Sequence, residues 1–150
     1  MTTLLMCMWL AWGPQAGAAQ DVWLKGFEGT WVVDNAQGAD ADITVTIARD
    51  AKGVLVLTAA FQGSEMVSRY DPSGKDVVSA GSSRIGPSTK RTRIDKQKLV
   101  TEIWDGKAEG APQRIETRYL ESPDVMITEL ARTPGGSAFN RTALRRKPKK

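Results

Sequence analysis

After residue 26 the chain is a succession of short runs rich in Val, Ile and Thr. Each is closed within a few residues by Gly, Pro, Asp or Asn. The stretch DITVTIAR, residues 42 to 49, shows the pattern most cleanly. Ile43, Val45 and Ile47 fall on one side of an extended chain, and Thr44, Thr46 and Ala48 on the other. Strict alternation means a strand with one buried and one wet face, because successive side chains of a strand point in opposite directions. No run after residue 20 keeps a helical period, so the punctuated rhythm predicts an all-β domain.

The remaining runs follow in order. VLVLTAAF (54 to 61) is apolar on both faces at its start, and Gln62-Gly63 forms a tight turn into SEMVSRY. DPSGK (71 to 75) places Pro and Gly at turn positions before the short run DVVSA. GSSRIGPS (81 to 88) reads as a loop. TKRTRID and KLVTEIW flank a turn at residues 95 to 97, and Asp105-Gly106 is a hairpin dipeptide. QRIETRYL (113 to 120), DVMITELAR (124 to 132) and AFNRTALRR (138 to 146) complete the set. Short turns make sequence neighbours spatial neighbours, which gives an antiparallel up-and-down meander. Many antiparallel strands must hide their edges, and closing the sheet on itself does so best. The expected architecture is therefore a barrel of about eight to ten strands, with a sandwich as the alternative. No connection of Greek-key length is present, which favours the barrel.

The first 19 residues, MTTLLMCMWLAWGPQAGAA, differ from the rest. They hold no charged side chain. An apolar stretch from Leu4 to Trp12 is broken by Gly13-Pro14 and followed by small residues that fit a cleavage site at Ala16-Gly17-Ala18 or Gly17-Ala18-Ala19. This is the layout of a secretory signal, although no Lys or Arg precedes the apolar core; an uncleaved anchor is the competing reading. The expected organisation is a signal segment at 1–19, a barrel domain at 20–146 and a basic tail at 147–150, in a periplasmic or secreted protein. Cys7, the single cysteine, lies in the leader, where Met6 spoils a lipoprotein box. Beyond the leader no thiol remains for disulfides, catalysis or metal binding.

Charge is unevenly placed. The last ten residues hold six of the 21 basic residues and no acidic one, so the remainder carries 15 basic against 17 acidic. The basic end suggests contact with an anionic envelope surface, against the plainer reading of a solvated terminus. Nucleic acid is not expected, since the basic end carries no interleaved aromatics.

Gly29-Thr30-Trp31 stands at the head of the first run, Tyr70-Asp71 precedes Gly74-Lys75, and Asp105-Gly106-Lys107 makes a later hairpin. In order and spacing these resemble small exported bacterial lipocalin-like (calycin-type) barrels, mostly of unassigned function, over about residues 27 to 147. The resemblance implies that Trp31 plugs one end of the barrel, that Gly29 allows the bend into the strand, and that an Arg from the last strand stacks on the indole. Arg141 is the first choice and Arg145 the second, because Phe139, Arg141, Ala143 and Arg145 share a face. GTW also occurs in avidin-like barrels, but Trp104 is the one tryptophan after Trp31, which speaks against biotin binding.

Catalysis finds little support. There is no histidine, so Ser–His and Cys–His arrangements are excluded. The acidic stretch DNAQGADAD (34 to 42) lacks a closing Glu and reads as a loop rather than a calcium site. Glu102, Glu116 and Glu129 alternate with Arg114, Arg118 and Arg132 on late strands, which reads as a ladder of ion pairs on the wet face. A carboxylate with a Tyr could still act as acid and base. The expectation is no enzyme, no cofactor and no metal. It is instead a barrel binding a small, partly apolar ligand in the cell envelope, lined by Phe61, Met66, Tyr70, Trp104, Tyr119 and Met126. The alternative is a packed interaction module that uses its loops and basic end.

Overall fold

The structure, a computed structural model, is described for residues 15–34, 42–82 and 85–148. A helix, α1 (Gln15–Lys25), leads into ten strands: β1 (Gly29–Val33), β2 (Thr44–Arg49), β3 (Leu55–Phe61), β4 (Ser64–Tyr70), β5 (Asp76–Ser79), β6 (Ser88–Asp95), β7 (Lys98–Asp105), β8 (Arg114–Ser122), β9 (Val125–Ala131) and β10 (Ala138–Arg146). All pairings are antiparallel and the sheet order is β4-β3-β2-β1-β10-β9-β8-β7-β6-β5. This is the expected all-β meander rolled into a nearly closed barrel. β1 joins β10 and sews first strand to last. Among the described residues no hydrogen-bonded ladder joins β4 to β5, which leaves a seam there, and β4 approaches β6 near it.

The helix departs from the expectation of no helix beyond residue 20. It runs across the predicted 19/20 boundary to Lys25. Its described outer residues give no periodic signal, since Val22 is exposed while Leu24 is buried. What stabilises it is docking at the barrel end. Leu24 is buried against the core, and Trp23 meets Phe27 edge-on at 4.9 Å and 76°. Several expected turns are present. Gln62 and Gly63 both have positive φ, as do Lys96 and Gln97, which is the geometry of two-residue hairpins. At Asp71 the carboxylate accepts the Ser73 backbone N–H at 3.0 Å, so the side chain itself builds the turn. The stretch 35–41, with most of the candidate acidic loop, and residues 83–84 of the GSSRIGPS loop lie outside the described residues.

The core occupies the end of the barrel nearest α1. It comprises Leu24, Phe27, Trp31, Val45, Ile47, Leu55, Leu57, Tyr70, Leu99, Met126 and Leu144. Trp31 is fully buried and its indole N–H donates to the Phe27 carbonyl at 2.9 Å. The cation over its ring is Arg146, at 4.2 Å from the centroid; Arg141 and Arg145 do not take that place. The reason is strand parity. On β10 the inward set is the even one, with Leu144 beside Val33 and Arg146 beside Trp31. The face shared by Phe139, Arg141 and Arg145 points outward, and Phe139 is 54% exposed. Arg141 instead pairs with Glu121 and Glu129, and Arg145 grips Asp34 with both Nε and Nη2.

Arg146 is held by more than the ring. Its guanidinium donates to the carbonyls of Glu28 (2.7 Å), Gly26 (2.6 Å) and Pro123 (3.0 Å). Gly29 makes room for it. The φ of Gly29 is +131°, and a Cβ there would lie 2.7 Å from Arg146 Nη1. The Gly-x-Trp pattern thus has a local physical cause: glycine admits the guanidinium that lies over the indole.

Candidate functional site

Strand register decides which side chains enter the barrel. On β4 the inward set is Ser64, Met66, Ser68 and Tyr70, opposite Phe61, Ala59, Leu57 and Leu55 of β3. Along β4 this set passes from sealed to open. Tyr70 is 6% exposed, Ser68 is half-buried, Met66 is 49% exposed and Ser64 is exposed. Phe61, opposite Ser64, is 36% exposed. Along β3 and β4 the wall therefore runs from packed at the α1 end to exposed at the other, so that this side of the barrel has the form of a cup.

Two inward rows cross the middle of the cup. One runs Ile94, Leu99, Arg118, Thr128, Thr142, and the next Thr92, Thr101, Glu116, Leu130, Asn140. Arg118 and Glu116 thus point into the barrel, with side chains only 13% and 11% exposed. Of the three acids expected in a wet-face ladder, Glu102 and Glu129 lie on the outer face, but their partners are not the expected arginines. Glu102 pairs with Arg93, and Glu129 with Arg141. Of the cations assigned to that ladder, Arg114 pairs with Asp105 and Arg132 lies over the Phe139 ring, while Arg118 turns inward. Both faces of β8 mix polar and apolar residues, so alternation alone cannot assign them.

The inward cluster is compact. Arg118 Nη2 donates to Glu116 Oε2 at 3.1 Å and to the Tyr70 hydroxyl at 3.2 Å. The Tyr70 ring receives two cations, Lys90 Nζ at 4.6 Å and Arg118 Cζ at 4.9 Å from its centroid. Lys90 lies opposite Val77 and Ile103 in the register. Thr92 and Thr101 share a buried hydroxyl–hydroxyl bond of 2.9 Å. Three buried polar atoms have no hydrogen-bond partner among the described residues: Glu116 Oε1, Arg118 Nε and Thr128 Oγ1.

Burial sets the electrostatics. It pushes the Tyr70 phenol well above the usual tyrosine range; the Arg118 charge opposes this and Glu116 reinforces it. Burial also works against the Arg118 charge, but Glu116 and Tyr70 hold the guanidinium above the ordinary arginine range. Desolvation holds the Lys90 ammonium below the usual lysine range. Glu116 resists that shift, while Arg118 and Arg114 add to it.

Beneath the cluster is an apolar pocket lined by Phe27, Ile47, Leu55, Leu57, Tyr70, Leu99, Thr101 and Arg118, with a volume of about 10 Å³. That is room for about one water molecule, so the lower half of the barrel is filled. A second, wider groove of about 630 Å³ lies outside the closed end, bounded by Gly29, Thr30, Asp124, Arg145, Arg146, Lys147 and Pro148. Among the described residues no group of His, Cys, Asp and Glu is placed to hold a metal ion.

The six residues expected to line a ligand site separate by parity. Tyr70, Met66 and Phe61 line the cup from floor to rim, and Met126 lies fully buried in the core below it. Trp104 and Tyr119 are on the outer face. Trp104 is buried by the 106–113 connection, its indole N–H donating to the Gly110 carbonyl at 3.1 Å with Arg91 over its ring. Tyr119 donates to Glu129 at 3.2 Å, and Lys98 lies over its ring. Arg118, Glu116, Lys90, Thr92 and Thr101 were not among the expected site residues. The signal available in sequence was the two-residue turn at Lys96-Gln97, which pairs Leu99 with Ile94 and Thr101 with Thr92. Carrying that register on to β8 requires knowing how residues 106–113 return.

No family model matches the chain, and no curated protein matches it. Solved structures do. A mutant of the REP1-NXSQ fatty acid transporter matches with a TM-score of 0.57 and 14% identity, over 80% of this chain and 97% of that one. At this identity the two chains share a fold, the ten-strand antiparallel near-barrel, and this is what the comparison establishes.

Proposed function

We propose that the chain is an exported, lipocalin-like binding module of the cell envelope, not an enzyme, and that it takes a small, partly apolar ligand in the open half of its barrel. The observation that carries this reading is the change along the inward face. Tyr70 is sealed with Arg118 and Glu116, whereas Met66 and Phe61, on the same face, stand open to solvent. Apolar walls above a floor of a few convergent polar groups are the usual composition of a small-molecule site. The fatty acid transporter with the same fold supports a hydrophobic ligand in general terms. The filled lower half leaves little room deep in the barrel, which favours a ligand seated above the Arg118 row.

Native mass spectrometry of protein purified from its own cell envelope tests the reading. A stoichiometric co-purifying small molecule, lost on Met66→Asp, is the expected result. Protein with no bound mass, and recovered from the cytoplasmic fraction, would overturn both the cargo and the location.

A second reading has its own observation. The groove at the closed end is edged by Arg145, Arg146 and Lys147, which suits an interaction module on an anionic surface. Arg145 and Arg146 are already engaged within the fold, so the test must spare them. Deletion of 147–150 should release the protein from vesicles containing phosphatidylglycerol, and more so at low salt. Unchanged retention would remove this reading.

A further inference from the structure

We propose that Glu116 is an internal stand-in for the head group of the ligand: the cup takes an amphipathic anion, whose head displaces the Glu116 carboxylate from Arg118. This deepens the binding reading above and rests on it.

The first argument is charge. Two cations, Arg118 and Lys90, face the Tyr70 ring from inside the barrel, and Glu116 is the acid paired there. The neighbouring Arg114 is engaged by Asp105 at 2.7 Å. No carboxylate lies within ion-pairing distance of Lys90 among the described residues. The cluster thus carries one positive charge in excess, in surroundings where an unmatched charge is costly. One monoanion balances it.

The second argument is geometry. A guanidinium and a carboxylate that form a permanent pair favour a two-pronged contact. Here residues two apart on one strand meet through a single Nη2–Oε2 bond, and each partner keeps a buried atom unused: Arg118 Nε and Glu116 Oε1. Thr128 Oγ1, beside Arg118 in the inward row, is a further unused group. An anion entering from the mouth would find Arg118 Nε, the Lys90 ammonium and Thr128 Oγ1 on offer. Its apolar part would then lie along Met66, Ala59 and Phe61.

A matched pair of fluorescent probes tests this: anilinonaphthalene sulfonate, an anion, and N-phenylnaphthylamine, the same ring system without the sulfonate. The parent should bind the anion about tenfold more tightly than the neutral probe, since one charge-assisted contact is of that order. Glu116→Gln removes the competitor and should tighten the anion by about tenfold while leaving the neutral probe unchanged. Lys90→Met breaks no ion pair within the fold, so it should fold normally, as circular dichroism would verify. It should weaken the anion alone. Equal binding of both probes in the parent and both variants would overturn the head-group inference and leave the binding reading standing. So would a Glu116→Gln protein that binds the anion more weakly than the parent does. A folded parent that binds neither probe would overturn the binding reading and this inference with it.

Discussion

Replacing Arg146 by Ala is expected to be among the most damaging single changes on β10. Arg146 stacks on Trp31 at 4.2 Å and donates to three carbonyls, two of them at 2.7 Å or less. Its side chain is 27% exposed. A partly desolvated cation–π contact contributes up to about 2 kcal/mol. Charge-assisted hydrogen bonds contribute about 1.5–3 kcal/mol each where buried, and those at Gly26 and Glu28 are only part-buried. These terms overlap, because one guanidinium makes all of them and water can replace some of its bonds. A net loss of about 2–4 kcal/mol is expected. In urea, with an m-value of ~1–3 kcal/mol/M, the midpoint should fall by about 1–2 M, as read by far-ultraviolet circular dichroism. Arg146→Lys keeps the charge but not the fork that reaches several carbonyls, and should recover less than half of the loss. Arg141→Ala and Arg145→Ala, both on the outer face, should leave the midpoint close to the parent's. Gly29→Ala should also destabilise, through its positive φ and the approach to Nη1. Combined with Arg146→Ala it should cost less than the sum, because the close contact is gone and only the backbone strain remains. If Arg146→Ala proves no worse than Arg141→Ala, the reasoning about the closed end is wrong.

Phe27 is fully buried, packs edge-on against Trp23 and lines the small internal pocket. Phe27→Ala should cost about 3–5 kcal/mol in the same urea assay, and a loss under ~1 kcal/mol would show that α1 does not seal the barrel. Tyr70 has a folded-state pKa raised by burial, so its stabilising contribution is present below the unfolded tyrosine value and is lost as pH rises beyond it. Tyrosinate absorbance should therefore show one of the chain's two tyrosines ionising only as the fold opens; smooth ionisation of both in folded protein would refute it. The buried Thr92–Thr101 pair predicts non-additivity. Either single Val replacement should cost about 1–3 kcal/mol by stranding the other hydroxyl, and the double replacement should cost less than either; additive losses would contradict this.

The barrel was legible in the sequence because it is written locally. Ile43, Val45 and Ile47 alternate over consecutive residues, and Gln62-Gly63 and Asp71 to Gly74 turn the chain within a few positions. Trp31 and Gly29 could be named for the same reason. Their partner could not. A one-residue change of parity separates Arg145, which reaches out to Asp34, from Arg146, which lies over the indole. Nothing within AFNRTALRR distinguishes the two faces, since each carries apolar and basic residues.

The same limit concealed the polar floor. IETRYLES can be laid with Glu116 and Arg118 in or out. Only its pairing with Leu99 and Thr101 on β7, and with Thr128 and Leu130 on β9, decides between them. Trp104 and Tyr119 show the converse: aromatic side chains that suggest a lining, but that the register turns outward under a loop and beneath Lys98. By itself the order of residues determined that this chain would form extended segments, where they would turn, and that short turns would make them a meander. Tertiary structure decided which side of each segment became the inside. Strand polarity repeats every two residues, and so the choice rests on neighbours that are distant in the chain.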